Sequence, residues 1–391
     1  MINNYTHKAN YHGRMLPEAT RFAHQLLTKS DSPFMLVDQI CGRLSCRMAF
    51  GTPAPRAAIS RSAHNFMQNL SPGGQITNVL TFLRFLPSWI NGDVHNEAMR
   101  LDIEDRVWHG SFEKARAAYQ DGTLKDSYAK YYFENLSRSG LTEAEALHGI
   151  AMMATVSILT LIAPIQRWIV IMSQHPEWQE KVQNELDGVL HGRMADYDDS
   201  SKLPILRASI LESVRWASPV PTGIPHRLEE DMEYNGYHLS KDSNVLACDW
   251  SMCRSDKYYQ AAESFNPARY LDPASAQYRE PLTEFPRLQN HSVFGWGRRT
   301  CIGQEYAATQ MLVICAAIMY GFDMTPGLDA TTGQLIDLDL LKLSSTPNVI
   351  PIMEPIDIQF TPRSEIHEQR LREAYETSTL RDGEKEAEEC Y

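Results

Sequence analysis

Up to about Pro219, apolar residues recur at three- and four-residue intervals, the spacing that places them on one face of a helix. The pattern predicts helices over Ala19–Lys29, Pro33–Phe50 and Ala57–Asn69. From Gly149 to Met172 nearly every position is apolar, which fits either the central helix of a large core or a membrane span. Pro164, Gln166 and Arg167 interrupt the run, and Thr155, Ser157 and Thr160 lie inside it, so a buried helix is the better reading. Thr142 followed by Glu145 makes a capping box at its start. His175-Pro176 ends it, because the residue before a proline is pushed out of helical geometry. Pro176 then suits the first turn of a helix running to about Leu190, and Pro204 opens another whose stripe is Leu206, Ile210 and Val214.

After Pro219 the period changes. Glu233–Leu239 and Asn244–Cys248 read as short strands, and Phe265 to Phe294 is Pro-rich and irregular. A final apolar helix, Gln304–Tyr320, precedes a β-like end carrying Pro347, Pro351 and Pro355. After Arg363 nine acids face four bases, so residues 363–391 are expected as a charged tail, a solvated helix or disordered. No repeat or linker divides the rest. The expected architecture is one mainly α domain with a small β portion, residues 1–362.

At 43% apolar and 22% charged, the 391 residues have globular composition, which excludes disorder, collagen and coiled coil as whole-chain descriptions. The net charge of -12 argues against nucleic acid, whose phosphates need a dense basic face. Seven cysteines at irregular spacings, with no C-x-x-C, read as reduced thiols of an intracellular protein. Met1–Gly13 is polar and has no apolar stretch of the signal-peptide kind, so a cytoplasmic or membrane-peripheral location without a transmembrane anchor is expected.

The sharpest chemistry lies in Phe294-Gly295-Trp296-Gly297-Arg298-Arg299-Thr300-Cys301-Ile302-Gly303, directly before a helix. A cysteine at a helix amino terminus feels the positive end of the dipole, which favours the thiolate. Gly297 and Gly303 let backbone turn tightly and approach a flat ligand, and Arg299 could pair with an anionic group on it. A buried structural cysteine in a Gly-rich turn is the bland alternative; five fixed positions weigh against it.

The run resembles the haem-binding loop of the cytochrome P450 family, F-x-x-G-x-R-x-C-x-G. Upstream and in the family's order, Glu212 and Arg215 match E-x-x-R, and Phe265-Asn266-Pro267-Ala268-Arg269-Tyr270 matches the segment supplying a third member, Arg269. Taken alone, an i,i+3 Glu/Arg pair is ordinarily a surface pair worth a few tenths of a kcal/mol. The resemblance runs from about Tyr5 to Pro362, and Gly223–Arg227 and Glu280–Thr283 look most like filamentous-fungal members that tailor secondary metabolites. It implies the P450 fold, lacking counterparts of the family's amino-terminal anchor, first strands and first helices. It implies haem b with Cys301 as the axial thiolate, Arg299 and His226 at the propionates, and Phe294 near the sulfur. Glu212, Arg215 and Arg269 would hold the loop in place. An exposed loop histidine is the alternative for His226.

The family's oxygen-activating helix ordinarily carries an acid followed by threonine. Here the stretch is Ala154 to Leu161. Counting back from His175-Pro176 puts Thr160 in the threonine slot and Leu159 in the acid slot; counting forward from Gly149 puts Thr160 in the acid slot. Thr160 is the candidate proton relay, with Ser157 or water, against the reading of a threonine bonded back to a helix carbonyl. The resemblance implies a monooxygenase fed by NADPH through a separate reductase, inserting one oxygen from O2 into an apolar molecule. Met152, Met153, Thr155, Val156, Pro219–Thr222 and Ser344–Pro347 are the candidate pocket lining. The alternatives are a haem-thiolate isomerase or dehydratase that does not activate O2, and a non-catalytic remnant.

Overall fold

A computed structural model of the chain describes residues 12–51, 56–71, 75–87, 89, 91–328, 333–336, 338–339, 348–353 and 355–378. The apolar run from Gly149 to Met172 is the middle of a helix spanning Glu143–Ser173. Its capping box is as expected: Glu145 N–H donates to Thr142 Oγ1 at 3.3 Å, and Thr142 N–H donates back to Glu145 Oε2 at 2.8 Å. From Leu161 to Ser173 every residue is buried, which is why the helix is apolar all round. Among the described residues it is the helix long and apolar enough to cross a membrane, and it forms the centre of the core.

Other helices wrap this one. Pro33–Phe50 lies along it, and Ser157 Oγ donates to Ser45 Oγ across the contact at 2.7 Å. Arg56–Leu70, Gly92–Gln120 and Tyr128–Glu134 pack outside that pair. On the other side stand Pro176–Leu190, Pro204–Trp216 and Gln304–Gly321. His12–Thr28 begins earlier than expected and continues through Pro17, packing on both Pro33–Phe50 and Gln304–Gly321. Glu18, fully buried on it, accepts from Arg43 Nε at 2.7 Å and Arg47 Nε at 3.0 Å. Burial would raise the Glu18 pKa, but Arg43, Arg47 and Arg21 outweigh it and hold the carboxyl below its usual range.

The β portion among the described residues is three two-stranded antiparallel sheets. One correction concerns Glu233–Leu239, expected as one strand. It is a hairpin, β2 (Met232–Tyr234) against β3 (Tyr237–Leu239), folded at Asn235-Gly236 with both φ angles positive, 50° and 80°. Asn-Gly favours such a turn because both residues tolerate left-handed backbone. Of Asn244–Cys248, β4 is Asn244–Val245, paired with β1 (His226–Arg227); Cys248 is already left-handed at φ 42°. β5 (Phe322–Pro326) pairs with β6 (Ile358–Pro362) at the end of the last core helix.

The charged tail also differs from a solvated segment. Glu365–Thr377 is a helix docked on His12–Thr28, with Leu371 fully buried and the Tyr375 ring stacked 4.0 Å from His24. A single apolar stripe on an otherwise exposed helix is enough to seat it, and composition averages hide that stripe. Residues 379–391 lie outside the described residues, as does the Ser344–Pro347 turn.

Candidate functional site

The cysteine loop is built by its own backbone. Phe294, half-buried against the core, closes it: Cys301 N–H donates to Phe294 O at 2.7 Å. Thr300 Oγ1 donates to the same carbonyl at 3.2 Å, and Thr300 N–H to Gly297 O at 3.2 Å. Gly297 has φ 65° and Gly295 has φ 73°, so these two glycines make the turn. Gly303 does something else. Its φ is an ordinary -89°, and a Cβ there would lie 3.7 Å from Cys301 Sγ. Gln304 then fastens the loop, donating to Cys301 O at 2.9 Å and accepting from Asn290 N–H at 2.7 Å.

Cys301 is exposed, and Gly303 N–H donates to its sulfur at 3.3 Å. The Gly303 amide at the helix start favours the thiolate, as expected, and the surroundings of the sulfur oppose it. Burial in the loop pushes the thiol pKa up, and the Gly303 amide only opposes that rise. A stable thiolate here needs a positive partner at the sulfur. Arg299 and His226 are both exposed, and neither side chain pairs with a described residue. His226 sits on β1, in the sheet with β4.

The Glu212 cluster is the opposite kind of place. Glu212 and Arg215 are fully buried and Arg269 is 5% exposed. Arg215 Nε and Nη2 each donate to Glu212 at 2.8 Å, and Arg269 Nε donates to both carboxylate oxygens at 2.9 and 3.1 Å. Asn266 N–H adds a bond at 2.8 Å. The remaining guanidinium nitrogens reach the carbonyls of Cys253, Ala262, Ser264 and Gln260. Burial works against the Arg215 charge, but the hydrogen bonds to Glu212 and its charge prevail, so its pKa rises. Tyr259 lies against both arginines, its ring centre 5.1 Å from Arg215 Cζ and 6.0 Å from that of Arg269. Sequence reading found the three charged residues but missed Tyr259 and the carbonyls, for which spacing gives no signal.

On the central helix Met152 and Thr160 are exposed, and Met153 and Val156 are half-buried, a stripe of open positions on a core helix. One expectation is corrected here. Thr155 is buried, donating to Ala151 O at 3.1 Å, so it turns into the core rather than towards a pocket. Ser157 meets Thr160 through its backbone, Thr160 Oγ1 reaching Ser157 O at 3.3 Å, while the Ser157 hydroxyl lies against Ser45 Oγ and Ala154 O. Leu159, one of the two acid-slot positions, is fully buried. Thr160 Oγ1 donates back to Val156 O at 2.8 Å, as the alternative reading held, although the residue is open rather than core. Pro164, four residues on, has no N–H, so the Thr160 carbonyl loses its helical donor. Thr160 thus presents an acceptor-rich spot on the open stripe.

A family model for cytochrome P450 matches residues 2–348. The chain belongs to the cytochrome P450 family. Its relatives include cytochrome P450 monooxygenase 69 of Postia placenta, 27% identical over 80% of this chain and 58% of that protein. Cytochrome P450 monooxygenase psoD of Aspergillus fumigatus is 29% identical over 81% of the chain and 62% of its own length. Cytochrome P450 monooxygenase claR of Ampulloclitocybe clavipes is 30% identical over 84% and 60%. The chain therefore spans about three fifths of the length of these curated relatives. A solved structure of a zebra fish cytochrome P450 with abiraterone superposes with a TM-score of 0.72 at 20% identity, covering 93% of this chain and 80% of that one, and it shares the fold.

Family and fold imply a haem-thiolate group, and the residues fit one. An open sulfur, an unpaired arginine two residues before it and an open stripe on the central helix are what a flat, anionic, largely apolar macrocycle requires. Among the described residues no cluster of three His, Cys, Asp or Glu is present.

Proposed function

We propose that this chain is the haem domain of a monooxygenase that inserts one oxygen atom from O2 into an apolar small molecule, a tailoring step in fungal secondary metabolism. The observation that carries the reading is the open Cys301 sulfur beside the Gly303 amide, at the start of a core helix in a chain of this family. Cys301 would hold the iron. Arg299 and His226 would take the propionates, and Phe294, whose carbonyl closes the loop, would shield the sulfur. The haem, when bound, supplies the oxygen chemistry, with the thiolate donating electron density.

The rest falls to the chain's own groups. Thr160 would hold a proton at Oγ1, and its carbonyl, to which Pro164 cannot donate, would fix a water beside that hydroxyl. Met152, Met153 and Val156 would present an apolar wall that excludes bulk water. Glu212, Arg215 and Arg269 would keep the segment leading to the loop in one position. Electrons would come from NADPH through a separate reductase, as is general in this family. We place the protein inside the cell at a membrane periphery; Phe82, Phe85 and Trp89, exposed by 63%, 90% and 82%, offer an apolar surface for that contact.

Carbon monoxide binding to the reduced protein tests the ligand. The expected result is the red-shifted Soret band of a thiolate-ligated haem, lost in Cys301→Ala; an unshifted spectrum in both proteins overturns the assignment. Purified protein that stays colourless after hemin supplementation supports the remnant instead. Thr160→Ala is expected to keep the spectrum while diverting NADPH-derived electrons to peroxide. A second reading, an isomerase or dehydratase, is favoured by the buried Leu159 where a carboxylate is ordinarily found. Product formation without NADPH or O2 would establish it.

A further inference from the structure

Arg269 is held by Glu212, and Phe294 closes the cysteine loop. Between them, from Leu271 to His291, the chain has neither helix nor strand. An irregular stretch of this length inside a compact domain keeps its place only where side chains fix it. Pro281 and Pro286 add to that demand, because neither offers an N–H to a ladder. Glu284 N–H and Phe285 N–H both turn back to Pro281 O at 2.9 Å, which makes a tight turn but answers none of the carbonyls after it.

One side chain answers four of those carbonyls. Arg207, half-buried in the first turn of the helix Pro204–Trp216, donates through Nη1 to Glu284 O at 2.6 Å and to Pro286 O at 2.9 Å. Its Nη2 donates to Phe285 O at 3.1 Å and also to Leu282 O. A planar fork of fixed N–H groups can serve several acceptors at once, whereas a lysine ammonium is a single point. The helix therefore grips the approach to the cysteine loop twice, through Glu212 and Arg215 upstream and through Arg207 closer to the loop.

The second grip leads to the sulfur's own support. Just past Pro286, Leu288 is buried in the core. Asn290 N–H donates to Gln304 Oε1 at 2.7 Å, and Gln304 Nε2 donates to Cys301 O at 2.9 Å. Gln289 Nε2 donates to Glu305 Oε2 at 2.9 Å, on the same first turn after Cys301. We propose that Arg207 is a positioning residue for the Cys301 sulfur, acting through segment 282–290 and Gln304. The inference rests on the reading of Cys301 as the ligand of haem iron. Without the guanidinium the four carbonyls lose their donor, residues 289 and 290 are freed, and the Gln304 bridge no longer holds the sulfur where an axial ligand must stand.

Carbon monoxide spectra of the purified, reduced, haem-loaded chain test the proposal through the rate at which the red-shifted Soret band converts to the unshifted form under native conditions. Arg207→Ala should convert at least about tenfold faster than the parent, the size expected from losing charge-assisted bonds. Should that variant not fold, Arg207→Lys keeps the charge without the fork and should convert at least about threefold faster. Leu371 lies against Gly321, at the other end of the core helix that follows Cys301. Leu371→Ala should therefore unfold more readily yet convert at the parent's rate, a split that a merely structural role for Arg207 would not give. Because Arg207 acts through Gln304, the rate increase in Arg207→Ala/Gln304→Ala should be smaller than the product of the two single increases. Conversion of the Arg207 variants at the parent's rate, conversion of Leu371→Ala as fast as theirs, or single effects that simply multiply overturns the proposal. A parent chain that never shows the red-shifted band overturns the reading of Cys301, and this inference with it.

Discussion

The Glu212 cluster and the Cys301 loop adjoin each other in the family's logic, yet they solve opposite physical problems. Around Glu212 every charge is out of water and answered within the protein, by guanidinium, carboxylate or backbone carbonyl. Around Cys301 the backbone is answered, but the sulfur and the Arg299 guanidinium are left open. A group the protein satisfies internally is structural, because nothing remains for a ligand to gain. A group kept open beside a well-closed backbone is where binding free energy is available. The difference separates two sets of charged residues that residue type alone does not tell apart.

Stability measurements by denaturant unfolding sharpen this contrast, and the largest effect belongs to the closed region. Glu212→Ala leaves two buried guanidiniums without their carboxylate and should cost about 3–5 kcal/mol. Equal stability would mean the cluster is not the closed unit described. Leu371→Ala, which empties a fully buried position under the tail helix, should cost about 2–4 kcal/mol, whereas a solvated tail predicts no loss.

A third effect depends on pH. Glu185 is half-buried with its carboxylate accepting from Ile205 N–H at 2.7 Å and Leu206 N–H at 2.9 Å. Burial outweighs those bonds and raises its pKa from 4.5 to about 7. Between those values the folded chain keeps a proton that the unfolded chain has lost. Stability should thus fall as pH rises from about 4.5 through about 7, by on the order of 1–3 kcal/mol, then level off. Glu185→Gln, with no proton to lose, should flatten that slope; an unchanged profile would assign it to other groups. The smallest expected change in stability belongs to the open region. Arg299→Ala should alter it by under about 0.5 kcal/mol while speeding haem loss to an acceptor globin. A large loss of stability without faster haem loss would place Arg299 with the closed set.

Much of this was legible before folding. Helix limits at Pro33, Phe50, Pro176 and Leu190 were read correctly because proline and apolar period act locally. The Asn235-Gly236 hairpin was equally local and was passed over, although the dipeptide is a strong turn signal. Thr155 and Thr160 could not be sorted by type. Five positions apart on a helix, they face different ways, and only the neighbours decide which way is core.

Residue type and spacing alone carry the helical class, the order of the motifs and the candidate chemistry-bearing residues, because each is a short-range pattern. Folding sets which charges are buried, that the tail helix docks, and which face of the central helix stays open. Those outcomes depend on solvation and on partners from distant parts of the chain. A Glu/Arg pair worth a few tenths of a kcal/mol in water costs several to break once the same atoms are sealed from it, because the remaining charge is left buried and unanswered.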